Sequence, residues 1–249
     1  MQRDALVRYV DEQLQVSRFR DYCPNGLQVE GKPHISRVVT GVTASQALLD
    51  AAVAARADLV LVHHGYFWKG ENPTLVGMRR RRLATLLHHD INLLAYHLPL
   101  DCHPVWGNNA QLGLRLGLAV TPPTTFDQLL WQGELPQSVT LAELGARLAA
   151  ALERQPLLCD GGHDRPLRRL AWCTGAAQDE IEQAALVGAD CFISGEVSER
   201  TVHQARELGI HFIAAGHHAT ERYGVQALGQ HLAEQFGLEV QFIDIDNPV

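Results

Sequence analysis

The chain has 249 residues, 46% of them hydrophobic, with 21 Lys plus Arg against 28 Asp plus Glu and a formal net charge of -7. That length and apolar content suit one large or two small domains and exclude a disordered chain. The acidic balance argues against a protein whose main work is coating DNA or an anionic membrane. One basic run, Arg79, Arg80, Arg81 and Arg82, reads as a solvated helix face before it reads as a nucleic-acid contact.

The five cysteines are scattered without a C-x-x-C pair, so neither a disulfide framework nor a thiolate zinc site is expected, and they read as reduced thiols. The N-terminal MQRDALVRYVDEQLQ carries charges where a signal peptide needs an apolar core. No apolar stretch approaches the ~18 residues that span a bilayer. A soluble, cytoplasmic protein with no membrane partner is expected.

In chain order, a first helix is followed by a turn at Asn25-Gly26, a dipeptide favoured where φ must be positive. RVVTGV (37 to 42) reads as a strand, SQALLDAAVAARA as a helix and DLVLVHHG as a buried strand ending in two histidines and Gly65. RRRLATLLHHD and INLLAYH give a second helix and strand, NNAQLGLRLGL an amphipathic stretch, and a short β-prone segment closes the set.

After TPP at 121 to 123 come a strand-like LLWQGEL and a helix starting at Thr140, whose spacing from Glu143 is that of a capping box. The earlier grammar then returns: RLAWCTG (169 to 175), QDEIEQAALVGA, DCFISGE (190 to 196), ERTVHQARELG, IHFIAAGH and VQALGQHLAEQFGL, with a final β-prone segment. This predicts an internal duplication of about 36 to 121 and 168 to 245. The expected fold is α/β, two similar interlinked lobes with mostly parallel sheets flanked by helices. The first lobe with its N-terminal helix covers 1–122, an inserted strand-helix connection 123–167 and the second lobe 168–249, with a metal site expected between the lobes.

The polar residues at the strand ends carry the chemistry. In parallel α/β sheets, sites form outside the carboxyl ends of the strands, where His63, His64, His97 and His217 all fall. His97 precedes Asp101 by four residues in HLPLD, and His217 precedes Glu221 by four in HHATE. At i and i+4 on a helix, His and carboxylate share a face and can serve one metal centre; Pro99 makes a turn the expected means in HLPLD. Imidazole and carboxylate suit Zn, Mn, Fe, Co or Ni, and the donor count exceeds what one tetrahedral ion needs. Two divalent ions ~3.5 to 4 Å apart, bridged by a carboxylate, fit it better.

Any one of these histidines alone reads as a strand-end polar residue or a surface residue at a helix start; their placement in register with a duplication favours ligands. Glu196 ends the strand equivalent to LVLVHH and is open to three roles: orienting a ligand His, acting as general base, or capping the next helix. Trp68 and Lys69 fit a pocket wall or rim packing. Histidines 88, 89, 103, 203, 211 and 231 lack the placement and read as scaffold or surface.

TGVTASQALLDAA, VHHGYFWKGE, HLPLDCHP with GNNAQL, WCTGAAQ, ISGEVSE and AAGHHATE, with NGLQVEG near the start, resemble the Nif-three-like proteins, also labelled GTP cyclohydrolase I type 2 homologues. The resemblance covers nearly the whole chain and is weakest over 122 to 167. It implies a two-lobed α/β fold assembling into a toroidal homohexamer, a trimer of dimers, with a dinuclear metal site facing the interior. Carried over by position, the implied ligands are His63, His64, Asp101, His217 and Glu221, with His97 near the metals. The chain itself contains no P-loop or other nucleotide fingerprint that would support GTP.

The favoured function is a metal-dependent hydrolase acting on an unknown small molecule, with a metal-bridging water as nucleophile and His97 or Glu196 handling the proton. The alternative is a metal-bearing ring that acts as a scaffold or threads nucleic acid, without hydrolase activity.

Overall fold

The apolar runs become strands, and the Ala- and Leu-rich stretches between them become helices. The computed structural model describes residues 1–121 and 123–249; Pro122, part of the expected TPP break and the end of the expected first lobe, lies outside the described residues. In chain order the elements are α1 (Arg3–Gln13), β1 (Gly26–Val29), β2 (Arg37–Thr43), α2 (Gln46–Ala54), β3 (Leu59–His64), α3 (Gly77–His88), β4 (Asn92–Ala95), α4 (Leu98–Cys102), α5 (Asn108–Arg115) and β5 (Ala119–Thr121). They continue with β6 (Trp131–Val139), α6 (Leu141–Leu152), β7 (Leu157–Cys159), β8 (Leu167–Cys173), α7 (Ile181–Leu186), β9 (Cys191–Ser194), α8 (Glu199–Leu208), β10 (His211–Ala214), α9 (His217–Phe236) and β11 (Glu239–Phe242).

The chain divides into two compact units, Met1–Gly107 with Gly224–Asp246, and Asn108–Tyr223 with Asn247–Val249. The first holds a sheet in the order β1-β4-β3-β2-β11, parallel except for β1. Alternation along β3 sends Leu59 and Leu61 into a core with Leu6 and Val10 of α1 and Leu228 of α9, while Val60 and Val62 face Leu48, Leu49 and Ala52 of α2. Both faces of the sheet are covered, which is why this strand reads as a continuous apolar run.

The second unit holds a sheet in the order β5-β6-β8-β9-β10-β7, whose parallel centre β8-β9-β10 is flanked by antiparallel strands. Leu170, Trp172 and Ile193 pack against Leu144 and Leu148 of α6, while Phe192 and Phe212 pack against Ile181 and Ala184 of α7. The expected capping box starts α6: the Thr140 hydroxyl accepts from Glu143 N at 3.2 Å, and the Glu143 carboxylate accepts from Thr140 N at 2.7 Å.

The duplication is visible strand by strand. β1-β4-β3-β2 matches β7-β10-β9-β8, three parallel strands with an antiparallel one beside the third. At the first residue of that third strand, Asn92 Oδ1 accepts from Gly31 N at 2.9 Å and His211 Nδ1 accepts from Gly161 N at 3.1 Å. The last strand of each repeat completes the other repeat's sheet: β11 runs parallel to β2, and β5 pairs with β6 beside β8. In the same way Leu112 of α5 joins the core of Trp172, and Val225 and Leu232 of α9 join that of Leu59. This exchange is the interlinking.

HLPLD differs from the expected turn. It forms α4, because Pro99 lies in the first turn of a helix, where its missing N–H costs no hydrogen bond. All five cysteines are free and buried, and among the described residues no helix is long and apolar enough to cross a membrane.

Candidate metal centre

In the first unit the site grows from the carboxyl ends of β3 and β4. His63 is fully buried, and its Nδ1 lies 2.9 Å from the Tyr96 carbonyl oxygen. A carbonyl only accepts, so the ring proton sits on Nδ1 and the Nε2 lone pair is directed elsewhere. Nε2 lies 3.5 Å from Oδ1 of buried Asp101 on α4. Two electron-rich atoms facing each other out of water repel unless a proton or a cation lies with them, which is the donor arrangement a divalent ion needs.

A regular strand would send His63 and His64 to opposite faces, yet their ring centroids are 4.6 Å apart. His64 Nδ1 lies 3.2 Å from the Thr43 hydroxyl. Gly65 follows because of crowding rather than a positive φ: a Cβ there would stand 2.2 Å from Gln28 Oε1, which accepts from Tyr66 N at 2.7 Å. His63, His64 and His97 bring ring nitrogens within 4.8 Å of one another, a cluster able to hold a metal ion.

His97 is the N-cap of α4, and its carbonyl accepts from Asp101 N at 3.1 Å, so a helix start rather than the expected turn links the two residues. Its Nδ1 lies 2.7 Å from Asp21 Oδ1, and its backbone N donates to Asn25 Oδ1 at 2.7 Å. Asp21 also accepts from Leu98 N at 3.0 Å and Asn25 Nδ2 at 2.8 Å. Burial pushes the Asp21 pKa up, but its interactions with the His97 ring, Asn25 and Tyr22 N outweigh it and hold it below the usual carboxylate value. In the sequence Asn25 stands out only as part of the Asn25-Gly26 turn, and Asp21, four residues earlier in an irregular loop and outside NGLQVEG, carries no signal. The Trp68 ring meets His97 edge-on, centroids 5.0 Å apart.

In the second unit HHATE opens α9. His217 Nδ1 lies 2.7 Å from Glu196 Oε1, and its Nε2 lies 3.1 Å from Glu221 Oε2. Glu196 thus contacts the His217 ring, and the N-cap of the following helix is Ser198. Burial lowers the His217 pKa, but the hydrogen bonds and charges of Glu221 and Glu196 outweigh it and raise it to about 9. A doubly protonated ring thus bridges two carboxylates, and a divalent cation would compete with its Nε2 proton. Gly175, with φ +72°, makes the room: a Cβ there would stand 2.2 Å from Glu221 Oε1. Asn109 supports the neighbouring strand end by accepting from Thr174 N at 3.1 Å.

Two duplicated α/β sheets whose strand ends carry His and carboxylate groups define the class: the chain belongs to the Duf34/NIF3 (NGG1p interacting factor 3) family, whose model matches residues 1–248. It is 59% identical to the Pseudomonas aeruginosa protein named GTP cyclohydrolase 1 type 2 homolog, over 98% of this chain and 97% of that one. It is 54% identical to the Escherichia coli K12 protein of the same name, over the full length of both. The solved structure described as protein ybgI, of unknown function, superposes with TM-score 0.97 at 53% identity and complete coverage of both chains.

Proposed function

We propose that the protein is a metal-dependent hydrolase of a small molecule, with His63, His64, Asp101, His217 and Glu221 as ligands of two divalent ions. One observation carries this reading. In each repeat a histidine is locked by its Nδ1, His63 by the Tyr96 carbonyl and His217 by Glu196, so that Nε2 meets a buried carboxylate, Asp101 or Glu221. An imidazole held by its Nδ1 beside a carboxylate, His63 with its Nε2 lone pair available and His217 on giving up its Nε2 proton, is what divalent zinc, manganese, iron, cobalt or nickel binds. When bound, such ions supply Lewis acidity that makes water nucleophilic near neutral pH and offsets charge on the substrate.

The chain's own residues do the rest. Asp21 holds the proton of His97 on Nδ1, leaving Nε2 to accept a proton from the attacking water and return it to the leaving group. Glu196 holds His217 in place. The reading extends to homohexamer assembly and a cytoplasmic location, and light scattering of purified protein tests the first.

The test is metal analysis of protein purified without chelators, followed by a screen of phosphoester, amide and nucleotide substrates. Wild type is expected to carry divalent metal and a chelator-sensitive activity restored by added ions, and E221A and H217A to lose metal. Full metal content in both variants would refute the ligand set.

A further inference from the structure

The first unit contains a cavity of about 520 Å³ that extends away from His64, the one proposed metal ligand among its lining residues. Its size is that of a small-molecule site. Its walls are apolar and aromatic, with Tyr66, Phe67, Trp68, Met78 and Leu83, and His64 also lines it. Trp68 is common ground: its ring centroid lies 5.9 Å from that of His64 and 5.0 Å from that of His97.

Three charged side chains line the cavity: Glu71, Arg79 and Arg82. Glu71 is satisfied, since Oε1 lies 3.0 Å from Arg79 Nη2 and Oε2 accepts from Trp68 N at 3.2 Å. Arg82 is different. Its Nε is shielded from solvent and has no hydrogen-bond partner among the described residues. The basic run that reads as a solvated face is therefore divided by helical periodicity: Arg79 and Arg82, three apart on α3, line the cavity while Arg80 and Arg81 are exposed. One net positive charge remains beside the apolar wall of a partly open cavity, where its attraction for an anion is less screened than on a fully exposed surface.

We propose that this cavity is the substrate pocket and that it takes a planar aromatic molecule bearing a carboxylate or phosphate group, the anion on Arg82 and the ring against Trp68. The planar guanidinium suits either anion through paired hydrogen bonds. This assignment rests on the hydrolase reading only for the word substrate; the binding preference stands or falls alone.

The experiment is calorimetric titration of chelator-treated, full-length protein with 1-naphthoate, 1-naphthyl phosphate and neutral 1-naphthol. At least one anion is expected to bind ten-fold or more tightly than naphthol, and the tighter of the two identifies the group. R82Q is expected to bring that anion to the affinity of naphthol, R82K to retain part of the preference, and R80Q, on the exposed side of α3, to change nothing. Equal binding of all three probes, no binding of either anion, or an R82Q protein that binds anions like wild type overturns the proposal. If R82Q fails to fold, the anion-to-naphthol ratio on wild type and R82K decides. Metal content separates the two readings: R82Q should keep the metal of wild type, whereas a metal-free wild type with intact anion preference removes the hydrolase and leaves the pocket.

Discussion

Asp58 Oδ2 accepts hydrogen bonds from the backbone nitrogens of Ser36 and Arg37, both at 3.0 Å, and Asp190 Oδ2 accepts from those of Arg168 and Arg169 at 3.0 and 2.8 Å. Each aspartate precedes the second strand of its repeat and ties it to the first. Removing either carboxylate takes the acceptor from two backbone N–H groups at the start of the first strand, each bond contributing about 0.5–1.5 kcal/mol. D58A is expected to lose about 2–3 kcal/mol in urea denaturation and D190A somewhat less, because its carboxylate is more exposed.

Asp58 also gives a pH dependence. Burial raises its pKa, but the bonds from Arg37, Lys32 and Ser36 outweigh that and set it below the ordinary value. A carboxylate depressed on folding stabilises above its unfolded pKa of about 3.9, and that contribution is lost as pH falls through the lower folded value. D58N should therefore show a shallower loss of stability below about pH 4 than wild type.

His211 occupies the position that Asn92 holds in the other repeat. Burial, helped by His163, lowers its pKa against the opposing pull of Asp160. The unfolded chain then binds the extra proton first, so stability falls as pH drops below about 6.5. H211N places an amide oxygen where Gly161 N can donate to it, and is expected to reduce this slope, which for one proton is at most about 1.4 kcal/mol per pH unit. Parallel stability curves for H211N and wild type between pH 8 and pH 5 would contradict it.

Glu196 holds His217 without being in the proposed ligand set. E196Q is expected to weaken metal binding about 10- to 100-fold. In chelator-treated protein it should also lower the His217 pKa from about 9, because one of the two raising carboxylates is gone. Imidazole titration by NMR reads that shift, and a purely structural role for Glu196 would leave it in place.

G175A confronts Glu221 directly. The added Cβ would meet Oε1 at 2.2 Å, at a φ of +72° that disfavours side chains, whereas Gly162, at φ +80°, has open space around it. G162A should cost the backbone strain alone, about 1–2 kcal/mol. G175A should cost more and also lose bound metal, the readout that distinguishes the two.

The strands, the helices between them and the histidines at the strand ends were legible because each rests on local period and on position within a repeat. LVLVHH shows its burial on both faces, and Thr140 with Glu143 shows a cap. The partner of His97 was not legible, since Asp21 reaches it from an irregular loop that carries no period. Nor was the division of the arginine run, because Arg79 and Arg82 acquire their meaning from Trp68 and Glu71 on a preceding loop. Interlinked lobes were expected, but which strands cross over was not legible for a related reason: nothing local in EVQF says that it will lie beside RVVTGVT.

That exchange has a temporal consequence. Val38 pairs with Val240, so a strand synthesised near the start waits for one made near the end. During synthesis the exposed edge of β2 stays open while the whole second repeat is translated, and the first sheet is completed only after α9 has been made. Contacts so distant in sequence slow folding, because the loop they close must be ordered before they contribute. The emerging chain is accordingly most vulnerable to association through β2, and shielding that edge is the service a chaperone would render it.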